Sequence, residues 1–473
     1  MRFSTIDYVP SPRRTVAIVA AKTTAELSRR LRFGGGTALP GLIAERFDPG
    51  IVPTLASRLG QGSVLVTGTN GKTTTSRLLR SIVEAAGLAP VANREGSNMM
   101  RGVAAALAEA ADWNGRIARP KKRIGIFEVD EATMPLVARA VRPRAITFTN
   151  LFRDQLDRYG EVETVATIWR EAVSTLPEDV TLALNADDPA VAALREHARG
   201  QVVLYGLDDV AQATGEIEHA ADARWCTKCG AELEYDAVFY GHIGHWRCLS
   251  CGNARPTPDV RVTAIEQTAH GPRLTISGSE LKVNVHLGQP GTYNVYNALA
   301  AAATASALGF GSSAIGPGLL NATAAFGRQE IFTIDGRDVH VILAKNPAGL
   351  NQVLRTLPDD QLNLALFLND DIADGRDISW IWDVDFELLA GRVRSVNASG
   401  RRARDMALRL KYAGIPEKPG VANDIATALR KAIKLTPEDG ALYAIPTYTA
   451  MLEVRNVLGK WAGRGKFWEG DAK

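Results

Sequence analysis

Short apolar runs rich in β-branched residues alternate with amphipathic segments between about residues 60 and 210. The runs occupy positions 64–66, 124–127, 145–148, 180–184 and 202–205. After the first run, the apolar residues recur at spacings of three and four, which puts them on one face of a helix; they are Leu78, Leu79, Ile82, Val83 and Ala86. This alternation predicts a parallel sheet with helices packed on it.

The alternation is interrupted once. Residues 222–256 contain two cysteine pairs with aromatic and glycine-rich spacing, which indicates a small inserted module. Beyond it, we expect an alanine-rich helix at 297–308, a turn region at 311–318 and a domain boundary near residue 326.

The α/β pattern then resumes, with strand patterns at 339–344, 363–368 and 441–445 and helical patterns at 403–412 and 423–434. A second, smaller Rossmann-like domain is the natural interpretation. The expected units are a helical segment (1–58), a principal α/β domain (59–325) that contains the insertion (222–256), and a C-terminal α/β domain (326–473).

Composition narrows the class of protein. Hydrophobic residues make up 46% of the 473 residues and charged residues 23%, as in globular α/β proteins. The net charge is only +3, so no strong basic surface points to nucleic acid. The apolar run at 15–21 ends at Lys22, and no run approaches the roughly 20 residues needed to cross a bilayer. A cytoplasmic protein is expected.

The first apolar run leads directly into Thr67-Gly68-Thr69-Asn70-Gly71-Lys72-Thr73-Thr74. A strand, a tight glycine loop and a helix start favour a bound phosphate through backbone N–H groups and the helix dipole. Lys72 can reach the β- and γ-phosphates, and Thr73 can bind Mg²⁺. Val66 stands where the general pattern has its first glycine. An ordinary glycine-containing turn is the alternative, and the Gly-Lys-Thr order after a buried strand disfavours it.

Carboxylates follow the apolar run 124–127. Glu128, Asp130 and Glu131 fall at the sheet edge where α/β proteins bind their ligands. A metal-binding role for Glu128 is favoured over a surface carboxylate.

Several motifs occur in an order that resembles the Mur ligase and folylpolyglutamate synthetase superfamily. After the glycine loop and Glu128 come Thr149-Asn150-Leu151, Asp154 and Asp157, then the motifs at 185–189, 291–298 and 327–330. More narrowly, the cysteine module and the runs at 344–349 and 368–383 resemble the MurT family, ligase subunits of lipid II isoglutaminyl synthase that form heterodimers with the glutaminase GatD.

The resemblance implies a reaction. ATP would phosphorylate the α-carboxylate of D-glutamate in the lipid II peptide stem, and ammonia would capture the acyl phosphate to give D-isoglutamine in peptidoglycan synthesis. Lys72 and Glu128 would be catalytic, and Thr73 and Glu128 would hold Mg²⁺. The implied nucleotide contacts are Gly68, Thr69, Asn70, Gly71, Lys72, Thr73, Thr74, Asn185, Asn297 and Arg328.

The chain departs from this pattern in three places. Gln155 replaces a histidine and Arg170 a carbamylated lysine of many relatives, so their second metal site is in doubt. The roughly 63 residues before the phosphate-loop strand lack a nucleotide-binding βαβ pattern, so the domain that grips a UDP-sugar is expected to be missing. A lipid-linked substrate, met by peripheral contact at the inner face of the plasma membrane, is compatible with that loss.

Cys226-x₂-Cys229 and Cys248-x₂-Cys251 can supply four thiolates to one tetrahedral, structural Zn²⁺. His242 and His245, between the pairs, are expected to be packing or surface residues. A nucleic-acid-binding ribbon is the alternative. Its basic residues are few and spread thinly: Arg224, Lys228, Arg247 and Arg255.

If zinc occupies all four cysteines, ammonia must come from another chain. The family resemblance implies that the GatD-type partner supplies a cysteine and a histidine, and that this chain supplies the acid of the triad. The run 369–380 holds four aspartates, of which Asp377 is preferred and Asp374 competes. Trp380, Ile381 and Trp382 follow directly and predict a partner interface.

Two other functions stay open at this stage. One is another acid–amine ligase of the superfamily, adding glutamate to a folate or an amino acid to a peptide. The other is a nucleic-acid-stimulated P-loop ATPase that uses the ribbon as a binding module.

Overall fold

The computed structural model describes most of the chain. The described residues are 11–31, 38–94, 96–153, 162–214, 217–218, 221–268, 271–322, 328–359, 361–415 and 420–463. Three helices precede the first strand: α1 (Pro12–Leu31), α2 (Leu39–Phe47) and α3 (Ile51–Ala56). Within the described residues, no helix is both long enough and apolar enough to cross a bilayer.

A nine-stranded sheet forms the first half of the molecule. Its elements, in chain order, are β1 (Ser63–Thr67), α4 (Lys72–Ala85), β2 (Ala89–Ala92), α5 (Met100–Ala110), β3 (Arg123–Glu128), α6 (Met134–Val141), β4 (Ala145–Phe148), α7 (Val162–Ser174), β5 (Thr181–Asn185), α8 (Pro189–Ala193) and β6 (Val202–Leu207). The strand order is β11-β10-β9-β6-β5-β4-β1-β3-β2. All five predicted apolar runs lie in parallel strands, which confirms the predicted parallel sheet and the α/β fold class.

Side chains alternate between the two faces of this sheet, as strand geometry requires. Leu65 packs with α5, α6, α7 and the three N-terminal helices. Val64 and Val66 pack on the opposite face, with α4 and two later helices, α9 (Thr292–Ala307) and α10 (Ser312–Asn321). The buried strands are therefore apolar throughout, which made them easy to predict.

Besides β2, three further strands of this sheet were not predicted individually. They are β9 (Val260–Glu266), β10 (Arg273–Ser277) and β11 (Lys282–His286), and they extend the sheet with antiparallel pairing after β9. Each alternates buried and exposed residues, so the apolar signal is half that of the inner strands.

The predicted turn region at 311–318 is wrong, because residues 312–318 lie in helix α10. Glycine and proline suggested a turn, but Gly318 serves close helix packing: a Cβ there would lie 2.3 Å from Ile82 Cα of α4. Pro317 is tolerated inside the helix. Packing against α4 has overridden the local propensity.

The cysteine module folds as an antiparallel hairpin, β7 (Glu234–Tyr240) and β8 (Ile243–Arg247), separate from the large sheet. It is anchored through Asp187, just after β5. That buried carboxylate accepts hydrogen bonds from Arg255 of the module, from Tyr296 of α9 and from the Leu207 N–H of β6.

The second half contains a six-stranded sheet in the order β12-β13-β17-β14-β15-β16. Its elements are β12 (Arg328–Ile334), β13 (Arg337–Ile342), α11 (Pro347–Thr356), β14 (Leu362–Phe367), β15 (Val393–Ser399), α12 (Ala403–Tyr412), β16 (Gly420–Ala422), α13 (Ile425–Leu435), β17 (Ala441–Pro446) and α14 (Tyr448–Trp461). All pairs except β12–β13 are parallel. Helices α11 and α12 cover one face, and α13 and α14 cover the other.

These two sheets correspond to the two α/β units that the sequence predicts. The boundary near residue 326 falls among residues 323–327, which lie outside the described residues. The four-unit division with its numbered boundaries stays a prediction.

Candidate active site and metal centre

The phosphate loop turns tightly between β1 and α4. Gly68 and Gly71 have φ angles of 133° and 86°, in the region that favours glycine. Both positions are also crowded. A Cβ on Gly68 would lie 2.0 Å from Thr149 Oγ1, and one on Gly71 would lie 2.0 Å from Asn297 Oδ1. The loop therefore requires glycine at both positions.

Lys72 is the first residue of α4, and its amine is buried. It donates to the carbonyl oxygens of Gly68 and Thr69 and forms an ion pair with Glu131, with 3.1 Å between Nζ and Oε2. Sequence reasoning did not single out Glu131 as the partner of Lys72. Its position three residues after Glu128, beyond the same strand, was the available signal. The lysine side chain is thus held back along its own loop.

Glu128 ends β3 opposite Val66 of β1, so it lies at the carboxyl edge beside the phosphate loop. It is buried, and its backbone N–H and C=O are both bonded to the Asn93 side chain. Thr73, in the first turn of α4, is half-buried. These two side chains offer the hard oxygen ligands that Mg²⁺ prefers.

The Thr-Asn motif after β4 braces the phosphate loop. The carbonyl of Asn150 accepts from the Thr69 N–H, and its side chain bonds both the N–H and the C=O of Asn70. Asn185, at the end of β5, lies behind the Thr-Asn motif. It is fully buried, donates to the Thr149 carbonyl at 3.0 Å and accepts from the Asp187 N–H.

A cleft opens beside the loop, between the two sheets. Its polar lining contains one basic residue, Lys345, and otherwise neutral amide groups and tyrosines: Asn70, Asn150, Asn297, Asn346, Gln352, Tyr240 and Tyr293. Tyr240 comes from the tip of the cysteine hairpin. Such a lining offers hydrogen bonds and aromatic faces, which suit a heterocyclic base.

The second sheet reaches the phosphate loop through Asn346. This residue caps α11, accepting from the Gly349 N–H at 2.8 Å, and its amide donates to Asn70 Oδ1 at 2.9 Å. A second link is Glu218. Its buried carboxylate accepts from three residues of α11, Asn351, Gln352 and Arg355, at 3.1 to 3.2 Å. Side-chain hydrogen bonds therefore link the second sheet and α11 to the first half of the molecule beside the cleft.

Some predicted residues cannot be placed fully. Arg328 begins β12 opposite Ile342, but its side chain lies outside the described residues. Asp154, Gln155 and Asp157 also lie outside them. Arg170, where relatives carry a carbamylated lysine, donates to Glu163 and Thr167 on its own helix, α7.

The four cysteine sulfurs lie within 4.8 Å of one another, as predicted. Cys226 Sγ is 3.6 Å from Cys251 Sγ, and Cys229 Sγ is 3.5 Å from Cys248 Sγ. These separations approach the ~3.8 Å edge of a tetrahedron with Zn–S bonds of about 2.3 Å. The donor set therefore fits a zinc ion closed to further ligands.

The two knuckles have the turns that metal binding needs. Gly230 and Gly252, one residue past each cysteine pair, both have a φ of 72°. The N–H of Ala231 lowers the pKa of Cys229, but the thiols of Cys251 and Cys248 outweigh it and raise that pKa to about 12. Burial opposes ionisation of Cys226, but the N–H groups of Cys229 and Lys228, with the side chains of Asn253 and Cys251, outweigh it and lower the pKa of this thiol to about 6. That thiol is accordingly suited to the thiolate state in which cysteine binds metals.

Both histidines of the module are packing residues, as expected. His242 is fully buried, lies 4.3 Å from the Phe152 ring between centroids and accepts from the Asp222 N–H. The ring of His245 is bonded to the Leu207 carbonyl through Nε2.

The acidic loop after β14 uses its aspartates differently. Asp371 forms an ion pair with Arg401 at 2.7 Å. Asp374 is buried and accepts from the backbone and hydroxyl of Thr449, and burial raises its pKa. Asp377 is only half-buried, with Oδ1 on the Ser379 N–H. Of these carboxylates, Asp377 is held by the lightest local contacts.

The aromatic run after the loop forms a short 3₁₀ turn, Ser379–Asp383, whose apolar side chains differ in exposure. Ile381 is fully buried, whereas Trp382 is 49% exposed and stacks edge-on against Tyr412, which is 70% exposed. Ile372, in the acidic loop, is 71% exposed. An apolar surface thus flanks Asp377.

This combination of fold and site defines the class of protein. Residues 66–243 match the Mur ligase middle domain, and residues 343–451 match the MurT ligase C-terminal domain. A pseudomurein peptide ligase type C from Methanothermus fervidus has the same fold, with a TM-score of 0.64 and 23% identity over 84% of this chain and 78% of that one. The protein is a Mur-type ligase, and ligases of this type use ATP and Mg²⁺.

The match extends over nearly the whole chain for one family. The lipid II isoglutaminyl synthase (glutamine-hydrolyzing) subunit MurT of Staphylococcus aureus strain COL is 34% identical over 455 residues, covering 95% of this chain and 98% of that protein. The corresponding subunit of Streptococcus pneumoniae is 33% identical over 449 residues, covering 94% and 96%. The chain belongs to the MurT family, and the predicted family, fold class and ligase activity are confirmed.

Proposed function

We propose that the protein amidates the α-carboxylate of D-glutamate in the lipid II peptide stem, using ATP and ammonia from a GatD-type glutaminase. The observation that carries this is the phosphate loop with Lys72, set beside carboxylates and a base-sized cleft, in a chain similar to MurT subunits along almost its full length. A carboxylate is a poor electrophile, so phosphorylation supplies the leaving group that ammonia displaces.

The nucleotide would lie across the loop and the cleft. The N–H groups of residues 68–74 and the Lys72 amine would hold its phosphates. Tyr240, Tyr293 and Asn297 would contact its base and sugar. To reach the phosphates, Lys72 must exchange Glu131 for phosphate oxygens. Asn185 would act by bracing Thr149, and Arg328 stays a predicted contact.

Glu128 and Thr73 would hold Mg²⁺, which supplies Lewis-acid neutralisation of charge when bound. Both residues sit at the carboxyl edge of the sheet, where the γ-phosphate would end. Lys72 would then stabilise the negative charge that develops during phosphoryl transfer. Together these residues account for activation of the acceptor carboxylate.

Ammonia has to come from a second chain. All four cysteines of the sequence are in the one cluster, so a thiol nucleophile for glutamine is not available here. Asp377 would complete the partner's triad by fixing the tautomer of a histidine. Its accessibility favours it over the buried Asp374, and the exposed Ile372, Trp382 and Tyr412 would form the surrounding interface.

The zinc ion would be structural. Four protein thiolates leave no open coordination position, and the module buries too little apolar surface to hold itself together. Through Tyr240 the module also forms one wall of the cleft, and through Arg255 it is fixed to Asp187. Zinc would therefore support nucleotide binding indirectly.

The test is a reconstitution. The chain, the glutaminase, Mg²⁺, ATP and lipid II are incubated with glutamine or with ammonium, and the muropeptide is analysed by mass spectrometry for replacement of a carboxyl hydroxyl by an amine. Amidation with both nitrogen sources supports the proposal. ADP release that depends instead on an amino acid, with no amide formed from ammonia, would assign the chain to a different acid–amine ligation.

A further inference from the structure

Helices α1 and α2 expose an unusual number of large apolar side chains. Within the described residues 21 large hydrophobic residues are exposed, and six of them fall in these two helices of 20 and nine residues. They are Val16, Val19, Leu27, Leu39, Leu42 and Phe47, each 36 to 50% exposed. Single exposed apolar residues are ordinary, but a concentration of this kind marks an interaction surface. We call these six residues the apolar face.

On α1 the apolar face is a true helical stripe. Pro12, Val16, Val19, Thr23 and Leu27 are all exposed at spacings of three and four, whereas Ala17, Ile18 and Ala21 are buried in the core. The stripe runs about 22 Å along the helix. It therefore presents one continuous ridge.

The surroundings of this ridge are known from contacts on its two flanks. On one flank, Lys22 lies over the ring of Trp113, 5.5 Å from its centroid, and Trp113 is itself 57% exposed. On the other flank, Arg13 donates to the carbonyl of Phe47. Trp113 and Phe47 thus lie on opposite sides of the stripe on α1, so the exposed apolar surface is wider than the stripe itself.

The segment that continues from Trp113 toward β3 is basic, and we call it the basic border. The segment from Trp113 to β3 carries Arg116, Arg119, Lys121, Lys122 and Arg123, all but the last exposed. Four acidic residues lie on or near these helices. Glu26 and Glu45 are partly buried on α1 and α2, and Glu45 interacts with Arg101. Asp48 is paired with Arg14, and Asp112 accepts from the N–H groups of Asn114 and Arg116. The chain as a whole carries only +3, so this is a local excess of positive charge.

One end of the apolar face approaches the reaction edge of the sheet. Gly41 of α2 packs so closely on the first turn of α5 that a Cβ would lie 1.7 Å from the Arg101 carbonyl oxygen. Just before α5, the carbonyl of Asn98 accepts from the N–H of Asp130 at the carboxyl edge. Leu39 and Leu42 are therefore the members of the face nearest the site.

We propose that the apolar face and its basic border form a docking surface for an anionic lipid bilayer. Apolar side chains entering the acyl boundary, with lysines and arginines at the headgroup level, are the arrangement of helices that lie in the membrane interface. The apolar residues alone would also suit a protein partner, whereas the basic border favours an anionic surface. The inference rests on the proposed function insofar as a lipid-linked acceptor requires the enzyme to work at a membrane.

The experiment is flotation of the full chain, alone and with its glutaminase, on vesicles of phosphatidylcholine with or without phosphatidylglycerol. The vesicles contain no lipid II and no nucleotide, so the result does not depend on amidation. The chain is expected to float with the anionic vesicles, and the double substitution Lys121→Glu and Lys122→Glu to weaken binding at least about tenfold, since each basic residue near such a surface contributes roughly fivefold.

Val19→Asp with Leu42→Asp tests the apolar part, and should also weaken flotation at least about tenfold. Leu320→Asp is the matched control. Leu320 is 57% exposed on α10, which packs on the other face of the nine-stranded sheet, and its substitution should leave flotation unchanged. Nucleotide binding by each variant verifies folding.

Three results would overturn the proposal. The first is flotation that is absent, or equal on neutral and anionic vesicles. The second is flotation of the Val19→Asp/Leu42→Asp variant equal to that of the unsubstituted chain. The third is self-association without lipid that this double substitution abolishes, which would assign the apolar face to a second copy of the chain. Loss of amidation with flotation intact would instead count against the proposed function alone.

Discussion

Two loops of this protein follow buried parallel strands in the same manner and yet present opposite surfaces. The loop after β1 is closed over by Asn150, Asn297 and Asn346, so its polar groups face inward. The loop after β14 opens outward, with Ile372 71% exposed and Trp382 49% exposed. The first geometry suits a small ligand and the second a protein partner. In the proposed reaction, one loop would serve the supply of energy and the other the supply of nitrogen.

The largest effect is expected for Lys72→Met. It removes the charge that would stabilise phosphoryl transfer, so amidation should fall by about 10³-fold or more with glutamine and with ammonium alike. Lys121→Met, a change of the same chemistry at an exposed site, should leave the rate unaltered when the acceptor is supplied in detergent. Activity with ammonium close to that of the unsubstituted chain would remove Lys72 from the mechanism.

Asp377→Asn should separate the two loops. Glutamine-dependent amidation is expected to fall by about 10²-fold or more, because the partner histidine loses its orienting charge, while ammonium-dependent amidation stays within about twofold. The two rates are measured on one preparation of the complex.

Asp374→Asn is the control for that experiment. Its carboxylate bonds Thr449 inside the domain, so the substitution should lower the melting temperature, with any loss of rate shared by both nitrogen sources. Selective loss of the glutamine reaction in Asp374→Asn, but not in Asp377→Asn, would exchange the two assignments.

Cys248→Ser tests whether the metal module supports the nucleotide loop. Loss of one thiolate should release zinc, measured by elemental analysis, and weaken nucleotide binding several-fold through the cleft wall at Tyr240. A conservative comparison is Tyr240→Phe, which keeps the ring and the metal. Zinc loss with unchanged nucleotide affinity would show that the hairpin tip holds its place without the ion.

The smallest effect is expected for Glu218→Gln. A neutral amide cannot accept from Asn351, Gln352 and Arg355 as a carboxylate does, so domain docking should weaken by about 1–3 kcal/mol. KM for ATP should rise several-fold with little change in kcat. Glu234→Gln, in an exposed ion pair of the hairpin, is the control. An unchanged KM would mean that the remaining links between the two halves, such as Asn346–Asn70 and Arg153–Asp383, hold the cleft without Glu218.

Local signals were enough to predict much of this structure from sequence. Inner strands such as β1 and β4 are apolar on both faces, the phosphate loop has its glycines at fixed offsets, and the cysteine spacing brings four sulfurs together. In each case the relevant partners are near in sequence or the pattern is redundant.

The misses have the opposite character. In the sequence, Gly318 indicates a turn. In the structure it lies in a helix, where its missing side chain allows close contact with Ile82, far away in the sequence. The Lys72–Glu131, Asn70–Asn346 and Glu218–Arg355 pairs join residues 59, 276 and 137 positions apart. Such pairings depend on how the elements pack, and the composition of a single segment does not specify which distant residue will be the partner.

The lining of the cleft by a β1 loop, the hairpin tip and α11 has a thermodynamic consequence. A molecule that contacts all three at once stays bound only while all three are folded. Its binding free energy therefore adds to the free energy of unfolding of each element. Saturating nucleotide should therefore merge separate melting steps of the two sheets and the cysteine hairpin into one cooperative transition, observable by calorimetry.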